Sequence, residues 1–315
     1  MVRLQLLSLL LFAPGWGFLL PLVLLGPLAL IRWQWRMLLL QLCCALLVLF
    51  GYTTFRWRER PLSTPGDIKV VSHNIGQGST AQFTAFLRAE APDVILLQDA
   101  TSRGLPYPRL FPSYFASTMG EYVCISRYPI AKTSSVPDGN WRGRPIAVRF
   151  EITIDRRQVA FYSVHMATPR PQLRNFLSPA FVREVLKDRR WPSEVEDYQR
   201  WLNDQAGRAE ALAQRISSEE LPVVVAGDFN TPDHGYIYHL FAKEMTDAFA
   251  KAGRGWGMTF PGGRDGETAR SRPWLRLDYI FAGSEWNAVF CEPEEGTRSQ
   301  HRAVVAILRP RFSQN

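Results

Sequence analysis

The chain contains a run of β-branched residues that ends in a glycine and two polar side chains, LPVVVAGDFNTP at residues 221–232. Three consecutive valines after a proline predict a buried strand, and Gly227 allows the chain to turn sharply after it. Asp228 and Asn230 are therefore expected in the loop at the strand end. A carboxylate and an amide two residues apart suit a hard cation or a phosphate oxygen. A simple turn that caps a following helix explains the same letters.

The same arrangement recurs along the chain, where apolar, strand-like runs have one polar residue at or just beyond their ends. These residues are Asn74, Asp99, His165, Asp278 and His301. A histidine at a strand end is, taken singly, more often structural than catalytic. The number of such positions favours a functional site over isolated turns.

In this order, the segments resemble the endonuclease/exonuclease/phosphatase family over about residues 68–308, through GDFN, the downstream LDYIF and the final S-x-H. The resemblance implies a four-layer α/β sandwich of two packed mixed β-sheets with outer helices and the site at one rim. It implies a metal-dependent phosphoric ester hydrolase using Mg²⁺ or Mn²⁺, here as a membrane-anchored, bacterial-type member. The expected substrate is a phosphodiester or phosphomonoester, with a phospholipid headgroup or a small phosphodiester favoured.

The resemblance also assigns a role to each polar residue. The implied metal ligands are Asp99, Asn74 and Asp228. The implied catalytic residues are His165, Asp228, Asn230, Asp278 and His301. The candidate phosphate- or substrate-binding residues are Asn74, Arg144 and Gln300, of which Arg144 is chosen for its positive charge and not from the resemblance. In these roles Asp228 orients or deprotonates the attacking water, Asp278 orients His301, and His165 donates to a phosphate oxygen.

Two positions depart from the family pattern. Asp99 stands where the family usually has glutamate, and Gln300 stands where it usually has aspartate. Both changes remove or shorten an anionic ligand, so we expect weaker Mg²⁺ affinity, a preference for Mn²⁺, or metal binding only together with substrate phosphate. A catalytically retired, membrane-held module that still binds phosphate is the alternative.

The first 60 residues have a different composition from the rest. No charged residue occurs in 4–31 or in 37–55, and both stretches are long enough to cross a bilayer at about 1.5 Å per residue. We predict a transmembrane helical hairpin with helices at about 10–31 and 37–55, a linker at 61–66 and one catalytic domain at 67–310. A signal peptide is the competing interpretation, and the second apolar stretch argues against it.

The net charge of +8 belongs largely to the N-terminal segment. Residues 1–60 contain six of the 37 basic residues and one of the 29 acidic ones, which leaves 31 against 28, a net charge of +3, for the remainder. A nearly neutral domain disfavours a nucleic-acid partner, although a nuclease of the same family remains the alternative activity. The predicted location is a plasma or inner membrane, multi-pass, with the lipid bilayer as partner. The side of the membrane and the oligomeric state stay open.

Overall fold

A computed structural model describes residues 7–52, 55–76, 81–101, 106–136, 143–176, 178, 179, 183, 193–262, 272–294 and 299–311. Within these ranges the chain forms an N-terminal helical segment followed by two six-stranded sheets with helices on their outer faces. The four-layer α/β sandwich predicted from the sequence is therefore confirmed.

The N-terminal segment is a helical hairpin. Two short 3-10 helices, Leu7–Phe12 and Gly15–Leu19, precede α1 (Leu20–Ile31), and α2 (Trp35–Leu46) continues into a π-helical stretch, Leu47–Tyr52. The first predicted span is interrupted because Pro14 cannot donate a backbone hydrogen bond, and its continuous α-helix is shorter than expected. Of the helices in the described ranges, none combines the length and the apolar character needed to cross a membrane.

The strands divide into two mixed sheets. The strand bounds are β1 Ile68–Asn74, β2 Val94–Gln98, β3 Phe115–Met119, β4 Tyr122–Ser126, β5 Ile130–Ser135, β6 Ala147–Ile154, β7 Arg157–His165, β8 Val223–Asp228, β9 Thr246–Asp247, β10 Asp278–Ala282, β11 Trp286–Pro293 and β12 Val304–Pro310. The first sheet has the order β11-β12-β1-β2-β4-β3 and the second the order β5-β6-β7-β8-β10-β9. The β1–β2 and β7–β8 pairs are parallel and the other pairs antiparallel.

In the part of the chain that the structure describes, six further helices accompany the sheets. They are α3 (Ala81–Glu90), α4 (Tyr107–Leu110), α5 (Arg170–Phe176), α6 (Ser193–Ser217), α7 (Tyr236–Ala242) and α8 (Ala248–Ala252). Apolar side chains of α3 cover the outer face of the first sheet, and those of α6 and α7 cover the second. A third apolar cluster fills the space between the sheets and includes Val70, Leu96, Phe161 and Ile280.

Strand register brings the polar residues of the second sheet into one row. His165 and Asp278 are each paired with Asp228, from opposite sides of β8. Gly227 permits this close packing, since a Cβ atom on it would lie 1.9 Å from the carbonyl oxygen of Val164. Its φ of 149° is also a conformation that side chains rarely adopt.

A buried glutamine connects the two sheets directly behind this row. The Gln98 side-chain amide donates to the hydroxyl of Ser72 in β1 at 3.2 Å and to the hydroxyl of Ser163 in β7 at 2.9 Å. Gln98 is fully buried. Because buried polar groups are costly unless they are hydrogen-bonded, this bridge favours one alignment of the sheets.

Candidate active site

Asp228 lies at the centre of the polar row and has no exposed surface. One oxygen, Oδ2, accepts hydrogen bonds from the side-chain amides of Asn74 at 2.9 Å and Asn230 at 3.0 Å, and Oδ1 accepts the backbone N–H of Asn230 at 2.9 Å. Burial raises the pKa of the Asp228 carboxyl, and the nearby positive charge of His301 opposes that rise. A carboxylate held in this way is suited to accept a proton from water.

His301 and Asp278 form a buried pair beside Asp228. Nδ1 of His301 donates to Oδ2 of Asp278 at 2.9 Å, and its Nε2 lies 3.5 Å from Oδ2 of Asp228. Burial by itself would lower the pKa of His301, but the two carboxylates outweigh it and raise the pKa to about 9. His301 is therefore protonated at neutral pH and can donate a proton or neutralise phosphate charge.

His165 is held from the other side by an acid that the sequence did not indicate. Its Nδ1 lies 2.7 Å from Oε1 of Glu121, and Arg144 forms an ion pair with the same carboxylate. Burial would raise the pKa of Glu121, but hydrogen bonds from His165 and Arg144 lower it overall. An ionised Glu121 accepts the Nδ1 proton, so Nε2 of His165 faces Asn74, 3.4 Å from its amide nitrogen.

These side chains open into a cavity of about 270 Å³. Eight of the nine predicted site residues line it, and the ninth, Asp278, lies behind His301. The eight are Asn74, Asp99, Arg144, His165, Asp228, Asn230, Gln300 and His301. Arg170, at the start of α5, also lines the cavity and adds a positive charge beside Arg144. The cavity thus combines an acid–base group with cationic side chains, as a phosphate site requires.

The residues around Gly76 fit a hard divalent cation. A Cβ atom built on Gly76 would lie 1.8 Å from Oδ2 of Asp99 and 3.1 Å from Oδ1 of Asn74. Two oxygen ligands therefore occupy the space that a side chain would fill, at the edge of the catalytic cavity. Asp99 reaches this place in a left-handed conformation, with φ of 49°, which aspartate tolerates better than most residues. Oxygen donors of this kind are preferred by Mg²⁺ and Mn²⁺.

A second group of metal-binding residue types is Asp228, Asp278 and His301, whose ligand atoms lie within 4.8 Å of one another. Oδ1 of Asp278 is buried and has no hydrogen-bond partner among the described residues. A protonated imidazole cannot ligate a cation, however, and the raised pKa of His301 makes metal binding there compete with a proton. The oxygens of Asn74 and Asp99 are the better place for an ion.

Sequence reasoning missed Glu121 and Ser299 as site residues, and it did not distinguish Arg170 from the other basic residues around it. Ser299 is the serine of the S-x-H motif, and its hydroxyl donates to the carbonyl oxygen of Asn74 at 2.9 Å. Glu121 lies in the tight turn before β4, where no local pattern distinguishes it from a solvated acid. Arg170 belongs to a basic stretch, 166–192, that the sequence reads either as a loop over the site or as a charged surface. Residues 177, 180–182 and 184–192 of that stretch lie outside the described residues.

Glu121→Gln is expected to lower kcat by about tenfold to a hundredfold with little change in KM, because a neutral amide no longer fixes the His165 tautomer. The pH–rate profile should change as well, since the ionised Glu121 carboxyl, whose pKa is lowered in the folded protein, is removed. Glu219→Gln is the matched control: Glu219 is equally buried and also pairs with an arginine, Arg149, away from the site. Equal losses in both variants would show that Glu121 acts only on stability.

Solved structures of similar fold span nearly the whole of the domain. An endonuclease/exonuclease/phosphatase family protein from Bacteroides thetaiotaomicron has a TM-score of 0.56 at 15% identity, covering 78% of this chain and 98% of its own. The mannosyl-6-phosphatase Bt3783 of the same species has a TM-score of 0.56 at 14% identity, covering 76% and 99%. TDP2 of D. rerio, solved with a single-strand DNA product, has a TM-score of 0.55 at 13% identity, covering 77% and 99%.

No curated protein sequence matches the chain significantly. Residues 71–301 match the Endonuclease/Exonuclease/phosphatase family, and this range contains all nine predicted site residues, from Asn74 to His301. The match covers well over half of the 315 residues. The chain therefore belongs to the endonuclease/exonuclease/phosphatase family and is a metal-dependent phosphoric ester hydrolase of that type.

Proposed function

We propose that the protein hydrolyses a phosphodiester or phosphomonoester at a membrane surface, and that a phospholipid headgroup or a small phosphodiester is the substrate. The observation that carries the proposal is the buried Asp228, which is held by Asn74 and Asn230 beside a protonated His301. Two arginines line the same cavity and supply charge for a phosphate. This set provides a base, an acid and a phosphate cradle in one place.

In the proposed reaction Asp228 takes a proton from water as the water oxygen bonds to phosphorus. The P–O bond to the leaving group breaks, and His301 gives a proton to the departing oxygen. His165, oriented by Glu121, donates to a non-bridging phosphate oxygen through Nε2, which requires a second proton on the imidazole because the Nδ1 proton is held by Glu121. Asp99 and Asn74 would hold a divalent cation, which when bound supplies neutralisation of phosphate charge.

Membrane association is supported by where the apolar surface lies. Among the described residues, 21 of the 26 exposed large apolar side chains fall within residues 10–57, so the exposed apolar surface is concentrated on the N-terminal segment. Leu24, Ile31 and Phe50 are 72%, 77% and 80% exposed. Apolar patches of this extent are rare on monomeric soluble proteins and mark contact with a membrane or another protein. A helical hairpin that inserts into the bilayer is the arrangement we propose.

The first test is hydrolysis of a generic aryl phosphodiester and monoester by the full-length protein with Mg²⁺, Mn²⁺ or a chelator. We expect metal-dependent turnover that disappears with the chelator. A folded protein that binds inorganic phosphate but turns over neither substrate with either metal would contradict the proposal and favour the retired binding module.

Asp99→Glu, which restores the longer side chain usual in the family, is expected to lower the Mg²⁺ concentration for half-maximal activity by about tenfold. The ligand oxygen then extends one methylene further into the cavity. Asp155→Glu is the matched control, since Asp155 is also an exposed aspartate with left-handed φ, in the turn between β6 and β7. Activity that exists only in the double variant Asp99→Glu, Gln300→Asp would instead support the alternative, a catalytically retired module that still binds phosphate.

The nuclease alternative is favoured by one observation, the similar fold of the D. rerio protein that was solved with a single-strand DNA product. The dependence of the hydrolysis rate on salt concentration distinguishes the two activities. Nucleic-acid hydrolysis should weaken steeply between low and moderate salt because counterions are released on binding. Hydrolysis of a small phosphodiester should change little. The near-neutral charge of residues 61–315 favours the second result.

A further inference from the structure

A second cavity, of about 650 Å³, lies between the N-terminal segment and the catalytic domain. Trp16, Leu19 and Val48 line it from the N-terminal segment, and Met258 and Trp274 line it from the domain. We call it the apolar groove. Its volume falls within the range of about 300–1,000 Å³ that is typical of small-molecule sites, and its mostly apolar lining suits an alkyl chain.

The two walls of the apolar groove are attached to each other. The indole N–H of Trp274 donates to the carbonyl oxygen of Phe12 at 3.4 Å. Arg56, where the chain leaves the N-terminal segment, exchanges two backbone hydrogen bonds with Gly255, at 2.8 and 2.9 Å. The groove is therefore a built feature of the fold, held on the domain by contacts before and after the helical hairpin.

Charge is distributed unevenly around the groove. Three arginines, Arg254, Arg272 and Arg302, line it together with one acid, Glu292. This surplus of positive charge beside an apolar wall is complementary to a molecule with an anionic group at the end of an alkyl chain.

The groove and the catalytic cavity lie on either side of one segment of the chain. His301 lines the catalytic cavity and the next residue, Arg302, lines the groove. The backbone N–H of Arg302 donates to the carbonyl oxygen of Thr259 at 2.9 Å, which joins both residues to the segment that separates the two spaces. In that segment the ring of Phe260 lies 5.0 Å from the ring of His301, while Met258 lines the groove.

We propose that the apolar groove binds the alkyl chain of an anionic amphiphilic phosphoester while its phosphate occupies the catalytic cavity. The inference rests on the proposed hydrolase function and narrows its substrate class to esters with a long apolar chain. The chain of such a substrate would leave the bilayer along the apolar surface of residues 10–57, and the arginines of the groove would attract its anionic headgroup on the way to the catalytic cavity.

The test is a series of alkyl 4-nitrophenyl phosphodiesters with methyl, butyl, octyl and dodecyl chains, hydrolysed by the full-length protein in lipid nanodiscs. All four esters have the same 4-nitrophenyl leaving group, so differences in kcat/KM between them arise from the alkyl chain alone. Full burial of a methylene group is worth about fourfold in affinity, and we expect kcat/KM to rise at least about tenfold from butyl to octyl. Binding of decyl phosphate, measured by calorimetry without metal and corrected with empty nanodiscs, gives a second readout that does not need turnover.

Leu19→Gln and Met258→Gln place a polar group in the groove and should flatten the chain-length dependence while leaving hydrolysis of the methyl ester unchanged. Leu24→Gln is the control, because Leu24 is 72% exposed and does not line the groove. Methyl-ester turnover with no chain-length dependence, or a dependence that survives both groove variants, would overturn this inference and leave the proposed function intact. Absence of turnover with every ester would overturn the proposed function. Decyl phosphate binding would then test separately whether the apolar groove binds an alkyl chain.

Discussion

Asp228→Asn is expected to lower the turnover number by about a thousandfold, because the amide cannot take a proton from water and general base catalysis is worth about 10²–10⁴. The substitution preserves shape but leaves only one acceptor oxygen for the amides of Asn74 and Asn230 and the Asn230 backbone N–H, so we expect a lower melting temperature but little change in KM. Turnover is measured with an aryl phosphodiester at saturating metal. Melting is followed in parallel by circular dichroism.

Asp93→Asn is the matched control for this variant. Asp93 is also a buried aspartate whose pKa is raised by burial, and it accepts the backbone N–H of Lys69 at 2.8 Å, at the opposite end of β2 from the site. We expect this control to keep most of its activity. A folded Asp228→Asn protein that retains more than about a tenth of the turnover would contradict the assignment of Asp228 as base.

The second large effect concerns stability and pH. The pKa of His301 in the folded protein is about 9, above its ordinary value of 6.5. The folded state therefore binds the proton more tightly than the unfolded chain. The resulting stabilisation is fully present below about pH 6.5 and is lost as the pH rises through about 9, and its size is on the order of 3 kcal/mol.

Urea unfolding of wild type and His301→Gln at pH 6, 7.5 and 9.5, with chelator present, measures this contribution. The difference in unfolding free energy between the two proteins should shrink by about 3 kcal/mol from pH 6 to pH 9.5. Comparing the proteins cancels the titration of groups elsewhere, such as the buried tyrosines. A difference that is the same at all three values would show that Asp278 and Asp228 do not hold His301 in its charged form.

The site could be predicted from the sequence to a large extent because it is built from strand ends. A short apolar run fixes where a strand ends, and the polar residue that follows is thereby placed at the sheet rim, as for Asn74, His165 and Asp228. Family resemblance then supplied roles for these positions. The long helix α6 also has a pattern that sequence can predict, since apolar residues recur at mostly three- to four-residue spacing from Val195 to Ile216.

The remainder could not be predicted, for identifiable physical reasons. β3 and β5 are edge strands with largely exposed side chains, so they lack the alternation that identifies a half-buried strand. Glu121 reaches His165 only because the β3–β4 turn lies beside β7 in the folded sandwich. The apolar groove depends on contacts between Phe12 and Trp274, 262 residues apart, which no local pattern encodes.

The Gln98 bridge has a consequence for how mutations reach the active site. Asn74 and Asp99 come from the first sheet, and Asp228 and His165 come from the second. The 2.9 Å hydrogen bond from Asn74 to Asp228 therefore depends on how the two sheets are aligned. A core substitution that slides one layer over the other by an ångström would break that contact while leaving most apolar burial in place. A misalignment of the two sheets should therefore lower the turnover number more than it lowers the melting temperature. Substitutions that reduce activity are expected far from the cavity, among the core residues between the two sheets.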